Sequence, residues 1–172
     1  TTLLSLAKRD TTKKILYLAF NRSLIDEIRR KIRKEKITNL IPKTFDALMR
    51  EVYINANEEE PVLTDLTPQY LTSKFPWFAG KAFKLKKHYC KQFANFCCDI
   101  RYDDMDAYCK KVLRNNNTFL QDLWKACLSN QFQTFDSIRK LAVINHWTRD
   151  YIDKKYDMIF IDEAQDFDKV ML

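Results

Sequence analysis

The chain has 172 residues, a formal net charge of +7, 46% apolar and 31% charged residues, five cysteines and one glycine. That composition describes a globular chain rather than a disordered one; the length suits one domain or one core with an insertion, and no apolar run approaches the ~20 residues that cross a bilayer. Average usage would give about 12 glycines, and the one present, Gly80, has Phe75 five residues upstream and Ala82 where a hydroxyl would hold magnesium, so the sequence contains no complete phosphate-cradling loop.

In chain order, Leu3 to Lys8 reads as the tail of a helix with its apolar residues on one side. Ile15 to Phe20 is a short continuous apolar run, the mark of a strand buried on both faces of a parallel sheet. Asn21 and Ser23 can cap a helix in which Leu24, Ile28 and Ile32 repeat at four-residue spacing among Asp26, Glu27, Arg29, Arg30, Arg33 and Lys34. This predicts an amphipathic helix with a basic outer face. Ile37 to Ile41 is a second strand candidate ended by Pro42, and Thr44-Phe45-Asp46-Ala47-Leu48 opens another helix.

Charge then changes sign. Residues 1–50 carry 13 Lys/Arg against 5 Asp/Glu, and residues 51–70 carry 0 against 5. Within the acidic stretch, Asn55 to Pro61 reads as a linker or long loop. Residues 66–130 lack strand alternation and are rich in aromatics and lysines, as a helical unit would be. Tyr156 to Ile161 is an apolar strand that runs into Asp162-Glu163-Ala164-Gln165-Asp166. The order predicts an α/β core on a parallel sheet, residues 1–55 and 131–172, interrupted by a helical insertion over 56–130.

Cys90, Cys97, Cys98, Cys109 and Cys127 are odd in number and lack CxxC spacing. They suit buried reduced thiols, with a metal or iron–sulfur site drawing in His88 as the alternative. His88 otherwise reads as an ordinary, partly buried histidine.

Acids just past the carboxyl end of a buried strand sit where open parallel sheets bind ligands. Phosphoryl transfer there needs one carboxylate for Mg²⁺ and a second to orient water and accept its proton. Asp162 and Glu163 can divide those tasks, and Gln165, a neutral donor and acceptor, suits contact with a γ-phosphate. The bland alternative is a polar turn after an edge strand.

Ile161-Asp162-Glu163-Ala164-Gln165-Asp166 resembles motif II, the Walker B box, of UvrD-like superfamily 1 DNA helicases. Ile15 to Leu24 resembles motif Ia of that family, and Lys43 to Leu48 resembles motif Ib. The F-box-type branch also shows a His-x3-Asp-Tyr stretch before motif II, comparable with His146 to Tyr151. The resemblance implies part of a RecA-like P-loop NTPase core with an inserted helical subdomain. It implies ATP and Mg²⁺ as cofactors, with Asp162 on the metal, Glu163 and Gln165 catalytic, and all three beside the nucleotide. Phe20, Asn21, Arg22, Thr44 and Phe45 would contact single-stranded DNA, Phe20 by stacking and Phe45 by shaping the floor. Plain core packing is the alternative for Phe20 and Phe45. Asp46 departs from the His usual after the Thr-Phe of motif Ib.

The resemblance further implies 3′→5′ movement on single-stranded DNA, contact with duplex junctions, ubiquitin-ligase partners if an F-box is attached, and an intracellular, nuclear setting without membrane contact. It places Thr1 just after the magnesium-binding Thr of a P-loop, or, shifted by one, on that Thr; the isolated chain is then expected not to hydrolyse ATP. Lys81, Lys84, Lys86, Lys87 and Lys91, interleaved with Phe83, Tyr89, Phe93 and Phe96, predict a helix with a cationic and an aromatic side, either touching duplex phosphates or simply solvated on one face. Two other readings remain: a non-enzymatic nucleic-acid-binding remnant of a helicase, and a P-loop ATPase acting on another polymer.

Overall fold

Ile15–Ala19 forms a strand, β1, and all five residues are buried, as the unbroken apolar run requires. In the computed structural model, which describes residues 2–164, β1 is the middle of a three-stranded parallel sheet. Leu40–Thr44 (β2) lies on one side and Met158–Ile161 (β3) on the other. Thr1, Gln165 and Asp166 lie outside the described residues, so the expectations for them stand on the sequence alone.

Alternation along β1 divides the core in two. Ile15, Tyr17 and Ala19 face a cluster with Leu4, Ala7, Ile25 and Ile37, drawn from helices α1 (Thr2–Arg9) and α2 (Arg22–Glu35) and the turn after them. Leu16 and Leu18 belong to the larger cluster on the opposite face. That cluster takes Phe45, Leu48 and Val52 from α3 (Phe45–Asn57), Ile138 and Leu141 from α8 (Phe135–Ile144), and Tyr151 from α9 (Trp147–Asp153).

The second strand departs from its expected limits. It starts at Leu40 and runs through Pro42 to Thr44 rather than stopping at Pro42. Among the described residues β2 is an edge strand, where a missing N–H is tolerated. Ile37 belongs instead to the end of α2: Lys36 caps it at φ 53°, and the Ile37 N–H donates to Ile32 O at 3.1 Å. Asn39 then ties the turn to the chain before β1, donating to the carbonyls of Ala7, Asp10 and Lys13.

The helical unit comprises α4 (Pro68–Lys74), a 3₁₀ turn (Pro76–Phe78), α5 (Phe83–Cys97), α6 (Met105–Tyr108), a π turn (Cys109–Leu113) and α7 (Thr118–Leu128). Gly80, at φ +74°, makes the turn into α5 that a side chain would strain. The unit enters and leaves through a neck: Gln133 N donates to Val62 O at 2.7 Å and Thr64 N to Gln133 O at 2.8 Å. Its interior is aromatic, with Phe93 and Phe132 ring centroids 5.7 Å apart and Phe96 5.0 Å from Trp124. Such edge and tilted contacts add about 0.5–1.5 kcal/mol each beyond burial. Lys140 reaches into this unit from α8, donating to the carbonyls of Asp99 and Tyr102 with its ammonium over Phe96.

No helix among the described residues is long and apolar enough to cross a membrane. The third strand is less covered than its apolar sequence implies. Ile159 and Ile161 are 42% and 44% exposed, while Phe160 leans on the α1–α2 cluster.

Candidate functional site

The three strands end together. Ala19 stands opposite Thr44 and Leu18 opposite Ile161 in the parallel register. The chain therefore leaves β1 through Phe20-Asn21-Arg22, β2 through Thr44-Phe45-Asp46 and β3 through Asp162-Glu163 on one edge of the sheet. That carboxyl edge is where parallel sheets present ligand sites.

Asp162 extends the β1–β3 ladder by one bond, its N–H donating to Leu18 O at 2.8 Å. Its side chain is held at both oxygens: Tyr17 Oη donates to Oδ2 at 2.5 Å and the Glu163 N–H to Oδ1 at 3.0 Å. Burial, and then the Asp162 carboxylate, push the Tyr17 phenol well above its ordinary range, so it remains a donor at neutral pH. Asp162 and Glu163 are both exposed. Glu163 sits at φ 52°, a left-handed conformation that costs a non-glycine residue about 1–2 kcal/mol.

Two exposed carboxylates suit a hard cation. Mg²⁺ binds through one or two carboxylates and completes its shell with water and phosphate oxygens. The site fits that pattern, since no three His, Cys, Asp or Glu side chains converge among the described residues.

Beside the β1 and β2 ends lies a cleft of about 390 Å³, whose walls include Arg22, Arg29, Thr44, Arg50 and Phe135. Arg22 is exposed, Arg29 pairs with Asp26 at 3.3 Å and Arg50 with Glu60 at 2.7 Å. Phe135, 39% exposed, offers an aromatic face. Such a combination of cations and an aromatic ring is what single strands bind, through phosphate and base respectively. Arg22 and Thr44 were expected here. Arg29, Arg50 and Phe135 were not, and only one local signal marks Phe135: Thr134-Phe135-Asp136 repeats Thr44-Phe45-Asp46 at a helix start.

The expected contacts separate. Phe20 is 51% exposed at the sheet edge, which sets aside core packing for it, whereas Phe45, 6% exposed, belongs to the core beneath the cleft. Asn21 Oδ1 caps α2, accepting from Ser23 N at 2.9 Å, so its carboxamide nitrogen is what it can offer a ligand. Thr44 Oγ1 caps α3 by accepting from Ala47 N at 3.2 Å, and its hydroxyl can still donate. Asp46 lines the cleft but is engaged by Arg139 at 3.2 Å, which offsets its repulsion of phosphate. Burial, more than any neighbour, raises its pKa.

Helix α5 is two-sided. Tyr89, Phe93 and Phe96 are buried, and Lys84, Lys87 and Lys91 are exposed. Lys86 departs from the cationic face, buried and donating to Thr72 Oγ1 at 2.7 Å. Phe83, 60% exposed, departs from the aromatic one. His88 is exposed rather than partly buried. Cys97, Cys109 and Cys127 are buried, and burial pushes their thiols up, Cys127 to about 12. They are thiols, not thiolates, at neutral pH.

Comparison with protein-family models, with curated proteins and with solved structures found no match to the chain.

Proposed function

We propose that this chain is the motif II-bearing part of the first RecA-like domain of a UvrD-like DNA helicase, with ATP hydrolysis at Asp162 and Glu163 driving movement along single-stranded DNA. The observation that carries the reading is the shared edge. The three stretches resembling motifs Ia, Ib and II lie far apart in sequence, yet leave three adjacent parallel strands at the same end. A chance likeness of separate hexapeptides has no reason to do that.

In this reading Asp162 offers its carboxylate to Mg²⁺, which when bound neutralises charge on the phosphates. Glu163, one residue on, accepts a proton from the attacking water at its carboxylate. Arg22, Arg29 and Arg50 hold phosphates of the nucleic acid, and Phe20 and Phe135 offer faces to bases.

Fluorescence anisotropy with a labelled single-stranded oligonucleotide tests the nucleic-acid half. Three or four phosphate contacts give a log–log salt slope of about −2 to −3. Binding that does not respond to salt removes the basic track.

A further inference from the structure

The β1–β3 pair carries a contact outside the three motif resemblances. Tyr17 stands opposite Phe160, so Asp162, two residues on, is its diagonal neighbour on the same face. Diagonal neighbours on a sheet face lie about 7–8 Å apart, a gap that only a long side chain closes. The Tyr17 hydroxyl closes it, donating to Asp162 Oδ2. Its ring is 4% exposed and clustered with Leu4, Ile25 and Leu40, so the donor is delivered by a fixed group. Oδ1 is held by the Glu163 N–H and the Asp162 N–H by Leu18 O. One donor on each oxygen sets the plane of the carboxylate and leaves each oxygen a lone pair. A Val, Ile or Leu at position 17 would fill the core equally well and leave Asp162 free to turn.

We propose that Tyr17 is a positioning residue: its hydroxyl orients the Asp162 carboxylate so that the remaining lone pairs meet the metal ion. The inference rests on the reading of Asp162 as a magnesium ligand. Carboxylates that bind metals are themselves hydrogen-bonded, and losing such a partner typically costs about 10–100-fold in metal affinity. Tyr17→Phe keeps the buried ring and deletes only the donor.

The test titrates Mn²⁺, a paramagnetic stand-in for Mg²⁺, into the chain and reads broadening of the Glu163 and Ala164 amide signals by NMR. The unsubstituted chain, Tyr17→Phe and Asp162→Asn are compared. The expected result is loss of the effect in Asp162→Asn and a midpoint raised about tenfold in Tyr17→Phe, with the rest of that variant's spectrum and its melting temperature little changed. A Tyr17→Phe midpoint equal to or below that of the unsubstituted chain overturns the role of Tyr17 while leaving Asp162 as the ligand. Broadening that persists in Asp162→Asn overturns the metal assignment itself, and the role of Tyr17 with it. A second reading needs no variant. On addition of Mg²⁺ to the unsubstituted chain, the Tyr17 ring signals should move with the same midpoint as the Asp162 carboxyl carbon. Stationary Tyr17 signals against a moving Asp162 would overturn the proposal even if Tyr17→Phe did not fold.

Discussion

Arg139 donates to Asp46 Oδ1 at 3.2 Å although the two stand 93 residues apart, and the same guanidinium pairs with Asp136 one turn back on its own helix. Asp46 and Asp136 each belong to a Thr-Phe-Asp that starts a helix, so one nearly buried arginine fastens the start of α3 to the start of α8. This is the joint between the strand that ends in Thr44 and the helix that presents Phe135. Removing the cation leaves two carboxylates facing each other with half their solvation. Arg139→Ala is expected to lower stability by about 2–3 kcal/mol in urea unfolding, below the 3–5 kcal/mol of a fully buried pair because both carboxylates keep some solvent. A loss under about 0.5 kcal/mol would show that the joint carries no strain when opened.

Phe135 and Arg22 separate the two ways a strand can be held. Phe135→Ala is expected to weaken single-stranded DNA binding by about 1–3 kcal/mol with an unchanged salt slope, because stacking involves no counterion. Arg22→Ala is expected to make the slope shallower by about 0.7, one phosphate's worth. Anisotropy titrations at several salt concentrations measure both. Equal slopes for Arg22→Ala and the unsubstituted chain would take Arg22 off the phosphate path.

Much of this arrangement could be read in the amino-acid sequence, and what could not has physical reasons. The apolar run at Ile15 announces a central strand because burial on both faces leaves no alternation to confuse with a helix. Asn21 and Thr44 announce helix starts because their side-chain oxygens satisfy N–H groups that the helix cannot. Pro42 misleads, because the rule that proline ends strands weakens at a sheet edge. Ile159 and Ile161 mislead too: their apolar character says nothing about which face finds a cover. The contacts of Arg139 with Asp46 and of Tyr17 with Asp162 join residues distant in sequence, and periodicity carries no signal for such pairs. Phe135 was hidden for the same reason, since its place in the cleft depends on how α8 lies against α3.

A polar cluster at the far end of α3 governs the acid response. Glu51 accepts from Lys43 and from Tyr151 Oη, the latter at 2.7 Å, and Lys155 lies 3.8 Å away. Burial alone would raise its carboxyl, but these partners outweigh burial and hold it below the ordinary 4.5. The folded state therefore binds this proton less readily than the unfolded chain. The stabilisation is complete above about pH 4.5 and is lost as pH falls through the lowered folded value. Glu51→Gln should be less stable than the unsubstituted chain at neutral pH and lose less on acidification. Urea unfolding across that range checks this, and parallel pH curves for the two chains would contradict it.

The most direct test of the central claim is steady-state ATP hydrolysis with and without single-stranded DNA, using the full protein that carries this chain and its Glu163→Gln form. Glu163→Gln removes the proton acceptor and keeps its shape. The predicted result is retained ATP binding with DNA-stimulated turnover reduced by about 10²–10⁴-fold. Turnover in Glu163→Gln equal to that of the unsubstituted protein would contradict the assignment of Asp162 and Glu163 as the hydrolytic pair.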